Sequence, residues 1–204
     1  MRSATRKAAD TSARSRWRFR LQGWEKPLFE WQKPDQFECL IRAAADCLGY
    51  DSLKRAGRSY REGFVASKFA LAQSVSRVRL LLPLSHKPTP DFEVDFGNGP
   101  RKYEITEADN PNRRRGAESP PLVPTLLPES EWVSSELYSK TVTRLTEKKA
   151  RKSYASQSGL IINHNAFVSD PWRLDLSWWK ANTLKARSTF LEVWVFENSS
   201  FKLL

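Results

Sequence analysis

The chain has 204 residues, 40% of them hydrophobic with eight tryptophans, which is enough apolar material for one domain with a real core. A formal net charge of +11 implies an acidic partner, nucleic acid ahead of an anionic membrane surface. No apolar run approaches the roughly 18 residues that cross a bilayer, and the N-terminus lacks the apolar centre of a secretory signal, so the expectation is a soluble cytoplasmic protein, with an organellar transit peptide as the minor alternative.

Residues 1–20 carry Arg2, Arg6, Lys7, Arg14, Arg16, Arg18 and Arg20 against one acid, Asp10, and read as a disordered basic arm. Such an arm either lies along phosphates or only solubilises. Residues 21–204 read as a single domain. Its first stretch, to Pro34, holds Trp24, Phe29 and Trp31 with two prolines and suggests an extended cover over a core. Asp35 and Glu38 resemble a capping box for a helix carrying Phe37, Leu40, Ile41, Ala44 and Leu48 and closed by Gly49. Cys39 and Cys47, eight residues apart on one helix at a spacing unsuited to a disulfide and too sparse for zinc, read as buried thiols. A short connection leads to a second helix from Arg58 to about Ser76, with Phe64, Val65, Phe69, Ala72 and Val75 at helical spacing. Val78 to Leu84 is an apolar run that reads as a buried strand.

The next stretch organises the chain. Phe92, Val94 and Phe96 alternate with Asp91, Glu93 and Asp95, a Gly97-Asn98-Gly99 turn follows, and Tyr103 and Ile105 then alternate with Lys102, Glu104 and Thr106. This is the pattern of a β-hairpin, and it brings carboxylates of two neighbouring strands to one face. Such a pairing is either a divalent-metal site or a solvated acidic sheet face.

Residues 110–128 hold Arg113, Arg114 and Arg115 among several prolines and read as a long loop. A helix is expected from about Glu129 to Ser156, with Tyr138, Val142 and Leu145 in one stripe and Lys140, Arg144 and Lys148 opposite. A strand from Leu160 toward Phe167, a connection with Trp172, Trp178 and Trp179, a strand over Phe190 to Phe196 and a short partner strand from Asn198 complete the chain. His86 and His164 are its two histidines, and no serine or cysteine sits in a nucleophile motif, which argues against covalent catalysis. His164 reads as a polar strand end, and the paired tryptophans as core before a stacking platform for bases. There is no glycine-rich phosphate loop.

The pair Pro90-Asp91, followed by Glu104 on the next strand, together with the order helix, strand, hairpin, helix, strand, resembles the core of the PD-(D/E)xK, restriction-endonuclease-like nuclease superfamily over roughly residues 35–170. The resemblance implies an α/β fold with a mixed central sheet flanked by helices (αβββαβ). It also implies Mg²⁺ or Mn²⁺ held by Asp91 and Glu104 and hydrolysis of phosphodiester bonds in DNA, RNA being second. Where the family has its lysine, two residues after Glu104, this chain has Thr106. A cation would then come from elsewhere: Lys102 on the same strand face, or Lys140 near the front of the following helix, with Lys149 and Lys152 close to the apolar stripe but later in that helix. A further acid from the first helices would be Glu38 or Glu62, and Glu107 would stand at the mouth. The run from Thr106 through Asp109 into Arg113–Arg115 is similar to bacterial nuclease-like proteins, and those arginines, with Arg16, Arg18 and Arg20, would bind phosphates. Two alternatives stand beside the nuclease: a nucleic-acid-binding protein on the same scaffold without catalysis, and an interaction protein of a mobile element or defence system. A homodimer would suit cleavage of both strands.

Overall fold

Alternation around the Gly97-Asn98-Gly99 turn folds as the hairpin it suggests. In the computed structural model, which describes residues 23–83, 88–110, 129 and 132–204 and only the backbone of 47–57, β2 (Phe92–Asp95) pairs antiparallel with β3 (Pro100–Ala108), placing Phe92 opposite Tyr103 and Glu93 opposite Lys102. Gly97 and Gly99 have φ of +90° and +116°, the left-handed region that glycine enters without penalty. Before β2, β1 (Arg77–Leu80) adds antiparallel to it. That strand is shorter and more open than the apolar run suggested, since Val78 and Leu80 point inward while Leu82, beyond its end, is 48% exposed.

Six strands form one mixed sheet in the order β1-β2-β3-β4-β5-β6. β4 (Ser158–His164) lies parallel to β3 and β5 (Val193–Glu197) parallel to β4, while β6 (Ser200–Leu203) returns antiparallel. The last hairpin turns on Asn198 and Ser199, both with positive φ, as a two-residue hairpin loop demands. Gly159 on β4 is required by packing, because a Cβ there would stand 2.5 Å from the ring of the buried Tyr103.

Helices cover both faces, and the alternation of each strand feeds two cores. On one face Phe92, Val94, Tyr103, Ile105 and Ile161 pack with Phe37, Val65 and Phe69 of α1 (Pro34–Ala72). On the other, Ala108, Leu160, Ile162 and Val193 pack with Tyr138 and Val142 of α2 (Ser135–Ala150), Trp179 of α3 (Leu176–Asn182) and Ala186 of α4 (Leu184–Arg187). The two short helices occupy the stretch read as a tryptophan-rich connection. Trp179 is fully buried and Trp178 stacks on Tyr138 at 5.8 Å, so the pair serves the core and Trp179 offers no platform for bases.

α1 is helical through Gly49, where a stop was expected, and it starts at Pro34 without the side-chain cap expected of Asp35. Yet it cannot be a straight rod. Glu38 and Lys68 would be roughly 45 Å apart along one axis, but they form a 2.7 Å ion pair, and the Cδ1 of Ile41 touches the space above Gly63. The helix therefore doubles back between 46 and 58, and its limbs 34–46 and 58–72 run antiparallel. Two helical limbs were legible in the sequence; the stop between them was misplaced because one glycine costs a helix only about 1 kcal/mol. The second limb lies on the sheet, where Phe69 meets Phe92, Trp194 and Phe201 edge to ring and Tyr103 at a tilt. Cys39, expected to be buried, is exposed, because it stands two residues from both Phe37 and Ile41 and so on the opposite side of the helix.

Beyond β3, Asn110 accepts through Oδ1 from the Phe167 amide at 2.7 Å, and the Val133 amide donates to the Phe167 carbonyl at 3.0 Å. α2 then begins at the cap Ser134, whose hydroxyl accepts from the Leu137 amide. No helix among the described residues is long and apolar enough to cross a membrane.

Candidate active site

The six carboxylates of the hairpin do not share one fate. Glu93 and Asp95 are matched by arginines of β1, with Arg79 donating to Glu93 at 2.7 and 3.0 Å and Arg77 to Asp95 at 2.7 Å. Trp31 lies under both guanidinium groups, 5.0 and 4.5 Å from its ring. These two acids are buried in ion pairs and structural, which corrects the reading of a solvated face for them.

Asp91 and Glu104 differ. Each is 2% exposed, and both line a cleft of about 700 Å³ with Arg58, Arg61, Glu62, Thr106, Glu107, Lys149, Lys152 and Tyr154. Asp91 precedes β2, and its amide donates to the Tyr103 carbonyl at 2.9 Å, which continues the ladder one step and sets it beside Glu104. Its Oδ2 accepts from the Ile105 amide at 2.7 Å. Glu104 sits in mid-strand, opposite Leu160 of β4, on the face that α2 covers.

Two cations hold these acids. The second limb of α1 enters the site at its front end, where Arg58 donates to both Glu62 and Asp91. From the last turn of α2, Lys149 reaches Glu104 Oε1 and donates to the Ile105 carbonyl at 2.9 Å. The Tyr154 hydroxyl, just past that helix, donates to Glu104 Oε2. Burying a carboxylate without such partners would be very unfavourable, so the acids and their donors form one unit.

The electrostatics follow from crowding. Burial, reinforced by the charge on Asp91, pushes Glu62 up to about 8 against the pull of Arg58. The same two causes raise Glu104 above the ordinary carboxylate range although Lys149 and Tyr154 oppose them. Burial and the bond to Glu104 raise the Tyr154 phenol, which stays a donor. For Arg58, burial pulls down but Glu62 and Asp91 outweigh it, and the guanidinium stays charged. At neutral pH a proton on Glu62 thus relieves its repulsion with Asp91.

Of the expected residues, Asp91, Glu104, Thr106, Glu62 and Glu107 line the cleft. Thr106 is buried, and Glu107 stands 3.5 Å from Arg61 at the α1 side. Three others do not reach it. Lys102 is exposed and opposite Glu93, two residues short of Glu104. Lys140 is exposed, since it stands two residues from both Tyr138 and Val142 and therefore on the far side of α2. Glu38 pairs with Lys68 and Arg42 on the first limb of α1. Arg16, Arg18, Arg20, Arg113, Arg114, Arg115 and His86 lie outside the described residues. His164 ends β4 with Nδ1 2.7 Å from the Tyr138 hydroxyl, the structural role expected of it.

Sequence reasoning missed Arg58 and Tyr154. Arg58 had a signal, its i,i+4 spacing to Glu62; Tyr154 had none. For a metal, the cleft presents oxygen donors: the two carboxylates and the Ile105 carbonyl, the atoms on which Arg58 and Lys149 sit. No three His, Cys, Asp or Glu side chains among the described residues group as a metal cluster. No family model matches the chain, and no curated protein or solved structure matches it either.

Proposed function

We propose that the protein is a divalent-metal-dependent nuclease hydrolysing phosphodiester bonds in DNA, with RNA the second substrate, on a restriction-endonuclease-like core. Sheet order supports the reading: antiparallel β1, β2 and β3, a crossover through α2, and β4 parallel to β3. The observation that carries it is the convergence of Lys149 on Glu104 beside Asp91. It supplies from α2 the cation for which β3 has only Thr106.

Asp91, Glu104 and the Ile105 carbonyl would hold Mg²⁺ or Mn²⁺, which when bound lowers the pKa of water and offsets charge at the phosphorus. The chain's own groups do the rest. The Tyr154 hydroxyl and the Ile105 amide hold one oxygen of each carboxylate, while the other two are paired with Lys149 and Arg58. Lys149 keeps a positive charge where the attacked phosphate gains negative charge, the role of a preorganised electrostatic donor. Glu62 holds a proton on its carboxyl near neutral pH, within reach of Arg58 and Asp91. Lys152 and Arg61 flank the opening, on the path of the phosphate backbone.

Plasmid, linear duplex, single-stranded DNA and RNA are incubated with the protein in magnesium or manganese and in EDTA, beside Glu104→Gln. Metal-dependent cleavage of DNA that the variant loses is the expected result. Cleavage that is equal in the variant, or absent with every substrate, overturns the enzyme and leaves the binding protein.

A further inference from the structure

Among the described residues, the carboxylate oxygens of Asp91 and Glu104 are held by donors of two kinds. Asp91 Oδ2 and Glu104 Oε2 are tied by neutral groups, the Ile105 amide and the Tyr154 hydroxyl, which orient them. Asp91 Oδ1 and Glu104 Oε1 are tied by cations, Arg58 and Lys149. The ammonium of Lys149 does more than pair with a carboxylate, since it also takes the Ile105 carbonyl at 2.9 Å. It thus draws two oxygen ligands around one compact point charge, which is how a small metal ion uses the same atoms.

We infer that Lys149 and the divalent ion share one seat: the ammonium occupies the cation position on Glu104 Oε1 and the Ile105 carbonyl, and ion binding displaces it into the cleft. The inference rests on the nuclease reading and adds an order of events to it. The side chain can make the exchange because it is a flexible four-carbon stem, 24% exposed, leaving from the last turn of α2. Displaced, the ammonium moves from a carboxylate to a cleft where Arg58 is engaged by Glu62 and Asp91 and Arg61 by Glu107, beside Lys152, which has no carboxylate partner among the described residues. A released Lys149 therefore meets an incoming phosphate with its whole charge. Arg58 plays a lesser part, because Glu62 retains it when Asp91 lets go.

The test uses the full chain and reads binding, not turnover. Calorimetric titration with Mn²⁺ compares wild type with Lys149→Met and Glu104→Gln, each checked for a cooperative thermal transition. Removing the competing ammonium is expected to tighten Mn²⁺ by about tenfold, while Glu104→Gln abolishes binding. Because Lys149→Met leaves Glu104 buried without its cation and could fail to fold, a second measurement uses wild type alone. Lysine acylation by a small reagent, read residue by residue by mass spectrometry, is expected to speed at Lys149 when magnesium is added and to stay constant at Lys102 and Lys140. Folded Lys149→Met with equal or weaker Mn²⁺ affinity overturns the exchange, as does constant Lys149 acylation while calorimetry registers binding. Wild type that binds no divalent ion at all overturns the nuclease reading itself.

Discussion

Lys149 Nζ lies 2.9 Å from the carbonyl oxygen of Ile105, the residue between Glu104 and Thr106. A side chain from α2 thereby reaches the middle of β3, next to Thr106. Cleavage should follow this contact. Lys149→Met is expected to lower kcat on the order of 10² to 10³, the loss typical of one preorganised donor, whereas Lys102→Ala and Lys140→Ala leave it unchanged. Single-turnover cleavage of a labelled duplex measures all three.

Lys152 lines the cleft, half-buried, and has no carboxylate partner among the described residues. Its charge is available to a phosphate. With cleavage blocked by Glu104→Gln, adding Lys152→Ala is expected to weaken duplex binding and to make the slope of log K against log salt shallower by about 0.9, the value for one phosphate contact. Fluorescence anisotropy across a salt series gives the slope; an unchanged slope would place Lys152 off the phosphate path.

His164 provides a pH dependence. Burial holds its imidazole below the ordinary value, against the opposing pull of Glu197, with Lys202 adding to the depression and Asp109 acting against it, while the Tyr138 hydroxyl bonds its Nδ1. The unfolded chain, with a histidine near 6.5, binds the proton first, so the stability this residue contributes is complete above that pH and is lost as pH falls from there toward the lowered folded value. Urea midpoints measured between pH 7.5 and 5 should drop for wild type and drop less for His164→Gln.

Gly159→Ala tests the packing of β4 against β3. The new methyl group would meet the Tyr103 ring at 2.5 Å, and that ring is fully buried with its hydroxyl bonded to Glu192. Overpacking of this kind costs about 1–3 kcal/mol, read as a lower midpoint in urea with an unchanged m-value.

How far these features could be read from the sequence depends on whether their causes are local. The hairpin was legible because alternation and two glycines lie within twenty residues of each other. Lys149 was half legible: continuing the stripe of Tyr138, Val142 and Leu145 leads to it, but preferring it to Lys140 requires knowing which end of α2 stands over Glu104. That is decided by the parallel register of β3 and β4, a non-local fact. The same holds for the doubled-back α1, whose reversal depends on Ile41 meeting Gly63 across the two limbs. Arg77 and Arg79 acquire partners only when strand pairing sets them opposite Asp95 and Glu93. α3 was lost in a tryptophan-rich stretch although Asp175 caps it, accepting from the Trp178 amide at 2.7 Å, a signal that was present in the chain and went unused.

Both strands of chain leading to and from the arginine segment are fastened to one residue, Phe167, by Asn110 on one side and Val133 on the other. The fold thus holds together the two described ends between which the arginine segment is inserted. The segment carrying Arg113, Arg114 and Arg115 joins those two ends. Exchanging it for a short glycine-serine bridge should preserve the melting transition while altering nucleic-acid affinity, which allows substrate grip to be re-engineered without touching Asp91, Glu104 or Lys149.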